Sequence, residues 1–122
     1  MTVARLDYPA GQLTPFGRDH LLMEANTDPE RSLRLGACAK EPWTIAAIER
    51  LQPGEVLWDI GANIGAYTLV ALARGIQVVA FEPVPANYGT LCRNLALNNL
   101  LDTVLTLPIA LGPADGLIWA HY

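Results

Sequence analysis

Between Val56 and Glu82 the chain runs through one unit that leaves few folds open. Val56–Trp58 is a short apolar run, and Asp59-Ile-Gly-Ala-Asn-Ile-Gly65 is an acid followed by a glycine-punctuated turn. Ala66–Ala73 is an apolar run of helical length, and Val78–Phe81 is a second strand-like run that ends on Glu82. A strand, loop, helix and strand in that span is what a parallel βαβ crossover requires. Ligands of such sheets sit at the carboxyl ends of the strands. Asp59 and Glu82 both fall there, which points to a pocket for a nucleoside-bearing ligand.

The loop separates the ligand classes. A dinucleotide fingerprint reads G-x-G-x-x-G, with a bare glycine where a diphosphate approaches the backbone. Here the order is Asp59-x-Gly61-x-Asn63-x-Gly65, so asparagine stands in the middle and the last glycine comes four positions after Gly61. S-adenosylmethionine carries no phosphate, and its amino-acid end presents one cation and one carboxylate. A strand-end acid suits the ammonium, and the backbone N–H groups opening the next helix suit the carboxylate. Glu82, 23 residues after Asp59, can accept hydrogen bonds from both ribose hydroxyls. It would serve NAD equally well, so an NAD(P)-dependent oxidoreductase stays open on Glu82 alone and is disfavoured only by the Asn63 loop. Gly61 and Gly65 permit backbone geometry that a Cβ would obstruct. Asn63 is expected to hold the turn through side-chain-to-backbone bonds. Thr68, in the first turn of the helix, either meets the cofactor carboxylate or bonds its own backbone, and Pro83 stiffens the loop carrying Glu82.

Asp59-Ile-Gly-Ala-Asn-Ile-Gly-Ala-Tyr-Thr68, followed by Ala80-Phe-Glu-Pro83, Asn87, Leu91, Arg93-Asn94 and Asn98, resembles the FkbM family of S-adenosylmethionine-dependent methyltransferases. Pro108-Ile-Ala-Leu-Gly-Pro-Ala-Asp-Gly116 is similar to that family's third strand and following turn. Glu41-Pro-Trp-Thr44, ahead of Leu51-Gln-Pro-Gly54, is similar to its lead-in helix. The likeness covers roughly residues 36–118. It implies an α/β fold, a Rossmann-like doubly wound parallel sheet of class I methyltransferase type, truncated here after the third strand. Residues 1–35 then form an N-terminal extension, and 36–122 a partial S-adenosylmethionine-binding domain.

The activity implied is O-methylation of a hydroxyl on a sugar or natural product, with Asp59, Gly61, Asn63, Gly65, Thr68, Glu82 and Pro83 around the cofactor. Ile109, Ala110 and Leu111, just after the third strand, would lie beside the adenine. Glu41 and Thr44 would reach the methionine end, unless Glu41 simply favours a helix N-terminus. The fourth strand, which carries an acidic motif in the family, is absent. The chain therefore reads as the cofactor-binding half of an enzyme, with a non-catalytic cofactor-binding fragment or module as the alternative. The strand Val56–Ile60 would keep an unpaired edge and an apolar flank facing water. A truncated product, self-association or a partner chain covering that edge accounts for this, and a compact, cooperatively melting monomer would argue against it.

Composition narrows the partners. Net charge is −4, Lys40 is the only lysine, and no basic cluster exists to neutralise phosphates, so nucleic acid is not an expected partner. The longest apolar-leaning uncharged run, Ile60–Ala73, is broken by glycines and too short to span a bilayer. Met1–Leu13 lacks the apolar core of a signal peptide. Cys38 and Cys92 are far apart without a C-x-x-C pattern, which fits free thiols in a reducing, cytoplasmic setting.

Elsewhere Pro9, Gly11, Pro15 and Gly17 break the start, Asp19–Asn26 forms a short strand or helix, and Thr27-Asp-Pro-Glu30 reads as a turn or helix start. Helices are expected over Pro42–Leu51, Ala66–Arg74 with Gly75 as its cap, and Ala86–Asn98. The last of these has Tyr88, Leu91, Cys92 and Leu95 facing the core and Arg93 and Asn94 facing solvent. Val104–Ile109 is the third strand, at an edge because of Pro108, and Leu117–Tyr122 a final strand-like piece. A hydroxyl acceptor needs a base. The only histidines are His20, read as an exposed loop residue, and His121, near the terminus. No catalytic base is nominated, and no metal ligands are assigned.

Overall fold

The computed structural model of the chain describes residues 1–8 and 20–119. The expected breaks at Pro9, Gly11, Pro15 and Gly17, and His121, lie outside them. The elements are β1 (Val3–Arg5), β2 (Leu22–Glu24), α1 (Ala37–Lys40), α2 (Pro42–Glu49), β3 (Val56–Ile60), α3 (Ala66–Ala73), β4 (Gln77–Phe81), α4 (Pro85–Leu97) and β5 (Leu105–Leu107).

The architecture is the expected parallel α/β sheet. β3, β4 and β5 lie in that order, all parallel. Val56 pairs with Gln77 and Ile60 with Phe81, while Val79 pairs with Leu105 and Phe81 with Leu107. This register puts Asp59 opposite Ala80, one step before the strands end, and Glu82 just past the end of β4. α3 is short and almost wholly buried because its residues are apolar all round, and Leu69, Val70, Ala71 and Ala73 expose nothing. It stops at Gly75, which takes φ +81 while Gly75 and Ile76 return N–H bonds to Leu72 and Ala71. That left-handed closure is what glycine supplies at a helix end. α4 opens on Pro85, where the missing N–H leaves nothing unsatisfied.

Two expected strands change. The third strand is only Leu105–Leu107, because Pro108 has no N–H to continue the ladder. The piece from Leu117 forms no strand in its described part, 117–119. The chain leaves the sheet past Pro108 and Pro113, and Leu117, Ile118 and Trp119 stand in solvent.

The described residues of the N-terminal extension, 1–8 and 20–35, pack against the rest of the fold. β2 pairs antiparallel with β1 and packs on α4, and Leu6, Tyr8, Leu21 and Met23 join the same core as α3 and α4. Thr27 and Glu30 make a reciprocal capping box, with the Glu30 N–H donating to the Thr27 hydroxyl at 3.3 Å and the Thr27 N–H to the Glu30 carboxylate at 3.0 Å. Asp7 then caps α1 by accepting from the N–H groups of Cys38 and Ala39.

One sheet face carries the helices. The other presents Val56, Trp58, Ile60 and Leu105, exposed by 47–61%. Trp58 tilts against Phe81 with ring centroids 5.6 Å apart, which shields only part of that face.

Candidate cofactor site

The β3–α3 loop is built from backbone bonds that converge on the end of β4. The N–H groups of Gly61 and Ala62 both donate to the Phe81 carbonyl at 2.9 Å, and the Asn63 N–H donates to the Glu82 carboxylate at 2.7 Å. The other Glu82 oxygen accepts from the Val84 N–H at 2.9 Å. Glu82 is 4% exposed, so these contacts take it out of bulk water, yet each carboxylate oxygen keeps a lone pair for a further donor. Pro83 separates Glu82 from Val84, whose N–H the Glu82 carboxylate accepts.

The loop turns through three left-handed residues, Gly61 (φ +75), Asn63 (φ +55) and Gly65 (φ +99). Asparagine tolerates this region better than most residues. What ties Asn63 to the fold is its backbone N–H on Glu82, in place of the side-chain bonds expected for it. Gly65 has a second reason to be glycine, since a Cβ there would come 2.6 Å from Leu91 Cδ1 on α4. Gly61 has no such neighbour, so only its backbone conformation demands glycine.

Asp59 faces α3. The Thr68 hydroxyl donates to its carboxylate, and Thr68 exposes no surface. The hydroxyl is thus committed to Asp59; contact with a ligand carboxylate is not its role in this arrangement. Burial pushes the Asp59 carboxyl above its ordinary value, the Thr68 hydroxyl and N–H oppose that, and the charge of Glu82 adds to it.

Two cavities flank the loop. One, of about 330 Å³, is walled by Gly61–Tyr67 on one side and by Arg34, Lys40 and Glu41 on the other. The second, of about 370 Å³, runs under β3 past Leu57–Ile60 to Thr44, Ile48 and Leu51, so it includes Asp59. Tyr67 lines both. Its hydroxyl donates to the Glu41 carboxylate and lies 3.3 Å from the Ala37 carbonyl. Burial and the Glu41 charge raise the Tyr67 phenol well above its usual range. Glu41 therefore reaches the loop side, as the lead-in helix suggested, but it meets Tyr67 there. Glu82, Pro83 and the exposed Ala110 lie outside both walls.

Sequence reasoning missed Arg34 and Lys40, which bring positive charge to the first cavity from a segment with no periodic signal. It also placed Asn94 in solvent, whereas Asn94 is fully buried and bonded to the loop at Ile64. Arg93 does point outward but pairs with the buried Glu24 at 2.8 Å. His20 is half-buried and lines neither cavity. Cys38 and Cys92 are free thiols, as expected. Among the described residues no group of His, Cys, Asp and Glu is placed to hold a metal, and no helix is long and apolar enough to cross a membrane.

Residues 59–120 match the methyltransferase FkbM domain. The chain is 46% identical over 56 residues to the 31-O-demethyl-FK506 methyltransferase FkbM of Streptomyces tacrolimicus, covering 44% of this chain and 22% of that protein. It is 32% identical over 69 residues to the hexuronic acid methyltransferase AglP of Haloferax volcanii, covering 57% and 28%. It is 34% identical over 56 residues to the tRNA (guanine(37)-N(1))-methyltransferase of Anopheles darlingi, covering 46% and 11%. The chain thus spans less than a third of the length of these relatives. Among solved structures, the SAM-dependent methyltransferase from Agrobacterium tumefaciens shares the fold, with a TM-score of 0.55 and 19% identity over 73% of this chain and 29% of that one.

Proposed function

The chain belongs to the methyltransferase FkbM domain family, and on that footing we propose that it is the S-adenosylmethionine-binding part of an O-methyltransferase acting on a hydroxyl of a sugar or natural product. The observation that carries this is the placement of Asp59 and Glu82 at the same ends of two paired parallel strands, with the asparagine-bearing left-handed loop that follows β3 bonded to Glu82 through the Asn63 N–H. The residues present fit the cofactor. Glu82 has unused acceptor capacity for ribose hydroxyls, and Asp59 is an acid for the ammonium. Arg34 and Lys40 bring cations to the cavity beside the N-terminus of α3, where the methionine carboxylate would lie. When bound, the cofactor supplies an electrophilic methyl group, which an acceptor oxygen takes by in-line displacement. Positioning therefore carries much of the catalysis.

The relatives that match this segment act, by their names, on 31-O-demethyl-FK506, a hexuronic acid and a tRNA guanine. A shared cofactor half with differing acceptors is what the short coverage predicts. The acidic balance of this chain favours a small-molecule or glycan acceptor over nucleic acid. The proposal extends to a cytoplasmic setting and to self-association or a partner chain covering the open edge of β3. A non-catalytic cofactor-binding module is the second reading.

Calorimetry with S-adenosylhomocysteine and with NAD tests the cofactor. Binding of the first and not the second is expected, and the reverse overturns the reading. Transfer of radiolabelled methyl to a panel of sugars, natural-product alcohols and tRNA then separates enzyme from module. Labelled tRNA alone would overturn the acceptor class.

A further inference from the structure

Asn94 lies on α4 and Asn98 caps its C-terminus one turn further on, and both are buried. The Asn94 side-chain oxygen accepts from the Glu24 N–H on β2 at 2.7 Å, and its amide nitrogen donates to the Ile64 carbonyl at 2.7 Å. One side chain thereby joins the N-terminal strand pair to the peptide between Asn63 and Gly65. Asn98 grips β2 without reaching the loop, accepting from the Leu22 N–H at 3.0 Å and donating to the Leu22 carbonyl at 2.7 Å and to the Asn94 carbonyl at 2.8 Å. Beside them the Glu24 carboxylate accepts from Arg93 at 2.8 Å and Asn26 at 3.1 Å, which holds the end of β2 against α4.

The loop is therefore gripped from two sides. Glu82 takes the Asn63 N–H, and Asn94 takes the Ile64 carbonyl. Asn63 is left-handed, a conformation that persists in a residue bearing a Cβ only where its surroundings over-determine it. Removing one grip frees the peptide that sets where the loop N–H groups point.

We propose that Asn94 is a positioning residue for the cofactor loop, and that through it the N-terminal strand pair forms part of the support of the cofactor site. This rests on the reading that the loop binds S-adenosylmethionine, but the coupling itself is readable without any ligand. The test compares Asn94→Ala with Asn98→Ala in the full chain, since the second loosens β2 without touching the loop. Amide hydrogen exchange at Asn63, Ile64 and Gly65, measured without ligand, is expected to quicken at least tenfold relative to β4 in Asn94→Ala. In Asn98→Ala it should stay within twofold of wild type. S-adenosylhomocysteine binding, measured below the melting temperature, is expected to weaken about tenfold in the first variant and less than twofold in the second. Asn94→Asp serves where the alanine variant does not fold, because it keeps an acceptor for Glu24 and, ionised, loses the donor to Ile64. Equal behaviour of the Asn94 and Asn98 variants, or an unchanged loop in both Asn94 variants, overturns the proposal. Failure of the wild-type chain to bind S-adenosylhomocysteine would instead overturn the cofactor reading and leave the exchange contrast to decide the coupling.

Discussion

Glu82→Gln separates what this carboxylate does for the fold from what it offers a ligand. In the native chain both oxygens accept from backbone N–H groups, at 2.7 Å from Asn63 and 2.9 Å from Val84, and the residue is 4% exposed. Glutamine is nearly isosteric but brings one oxygen and one NH₂. Whichever way the amide turns, one backbone N–H faces another donor and is left without an acceptor. A hydrogen bond to a charged group contributes about 1.5–3 kcal/mol, and a buried unpaired N–H costs about 1–3 kcal/mol. Relief of the buried charge offsets part of this. The net expectation is a loss of about 1–3 kcal/mol, against a total stability of about 5–15 kcal/mol for a domain. Urea unfolding followed by far-UV circular dichroism, with linear extrapolation to water, measures it. Glu82→Ala, which removes both acceptors, should lose more than Glu82→Gln. A glutamine variant within about 0.5 kcal/mol of wild type would refute the reasoning, because it would mean that the N–H left facing the amide donor does not depend on the carboxylate.

Three further substitutions probe the loop and its acid. Gly65→Ala places a Cβ 2.6 Å from Leu91 Cδ1 at φ +99 and should destabilise by about 2–4 kcal/mol, whereas Gly61→Ala, strained only in its backbone, should lose about 1 kcal/mol; equal losses in chemical denaturation would contradict the packing argument. Asp59→Asn should melt higher than wild type at neutral pH while binding S-adenosylhomocysteine more weakly, since the asparagine oxygen keeps the Thr68 hydroxyl bond and sheds a buried charge. The folded state holds the Asp59 proton more tightly than the unfolded chain does, so wild-type stability falls as pH rises from the ordinary carboxylate value through the raised one. The advantage of the variant should accordingly grow between those pH values and then level off, and a difference independent of pH across the acid range would count against a raised Asp59.

The crossover was legible because every signal in it is local. The apolar run, the acid, the glycines and the second apolar run give β3 at Val56–Ile60, with α3 and β4 within about a residue of the expected bounds. The N-terminal pair was not legible, because strands of three residues are too short to show an alternation. Asn94 shows why the candidate site was read only in part. Helical spacing placed Leu91 and Leu95 in the core and so assigned their polar neighbour to solvent. A strand about 70 residues upstream and the Ile64 carbonyl both needed a partner, and an amide can serve a donor and an acceptor at once. Thr68 was ambiguous for the same reason, since a short hydroxyl bonds whatever lies nearest and only the fold brings Asp59 there.

The bare sheet face turns that argument around. The apolar run of β3 predicts a strand covered on both faces, yet Val56, Trp58 and Ile60 face water while Leu57 and Asp59 face the helices. A surface strand with only one face to bury would alternate apolar with polar residues. Here the outward positions carry valine, tryptophan and isoleucine, and Leu105 extends the patch across Val79 to the far edge of the sheet. Side chains of that kind on adjacent strands form the continuous apolar surface that other proteins cover. One five-residue strand thus carries both features, an acid turned toward the helices and an apolar flank turned toward water.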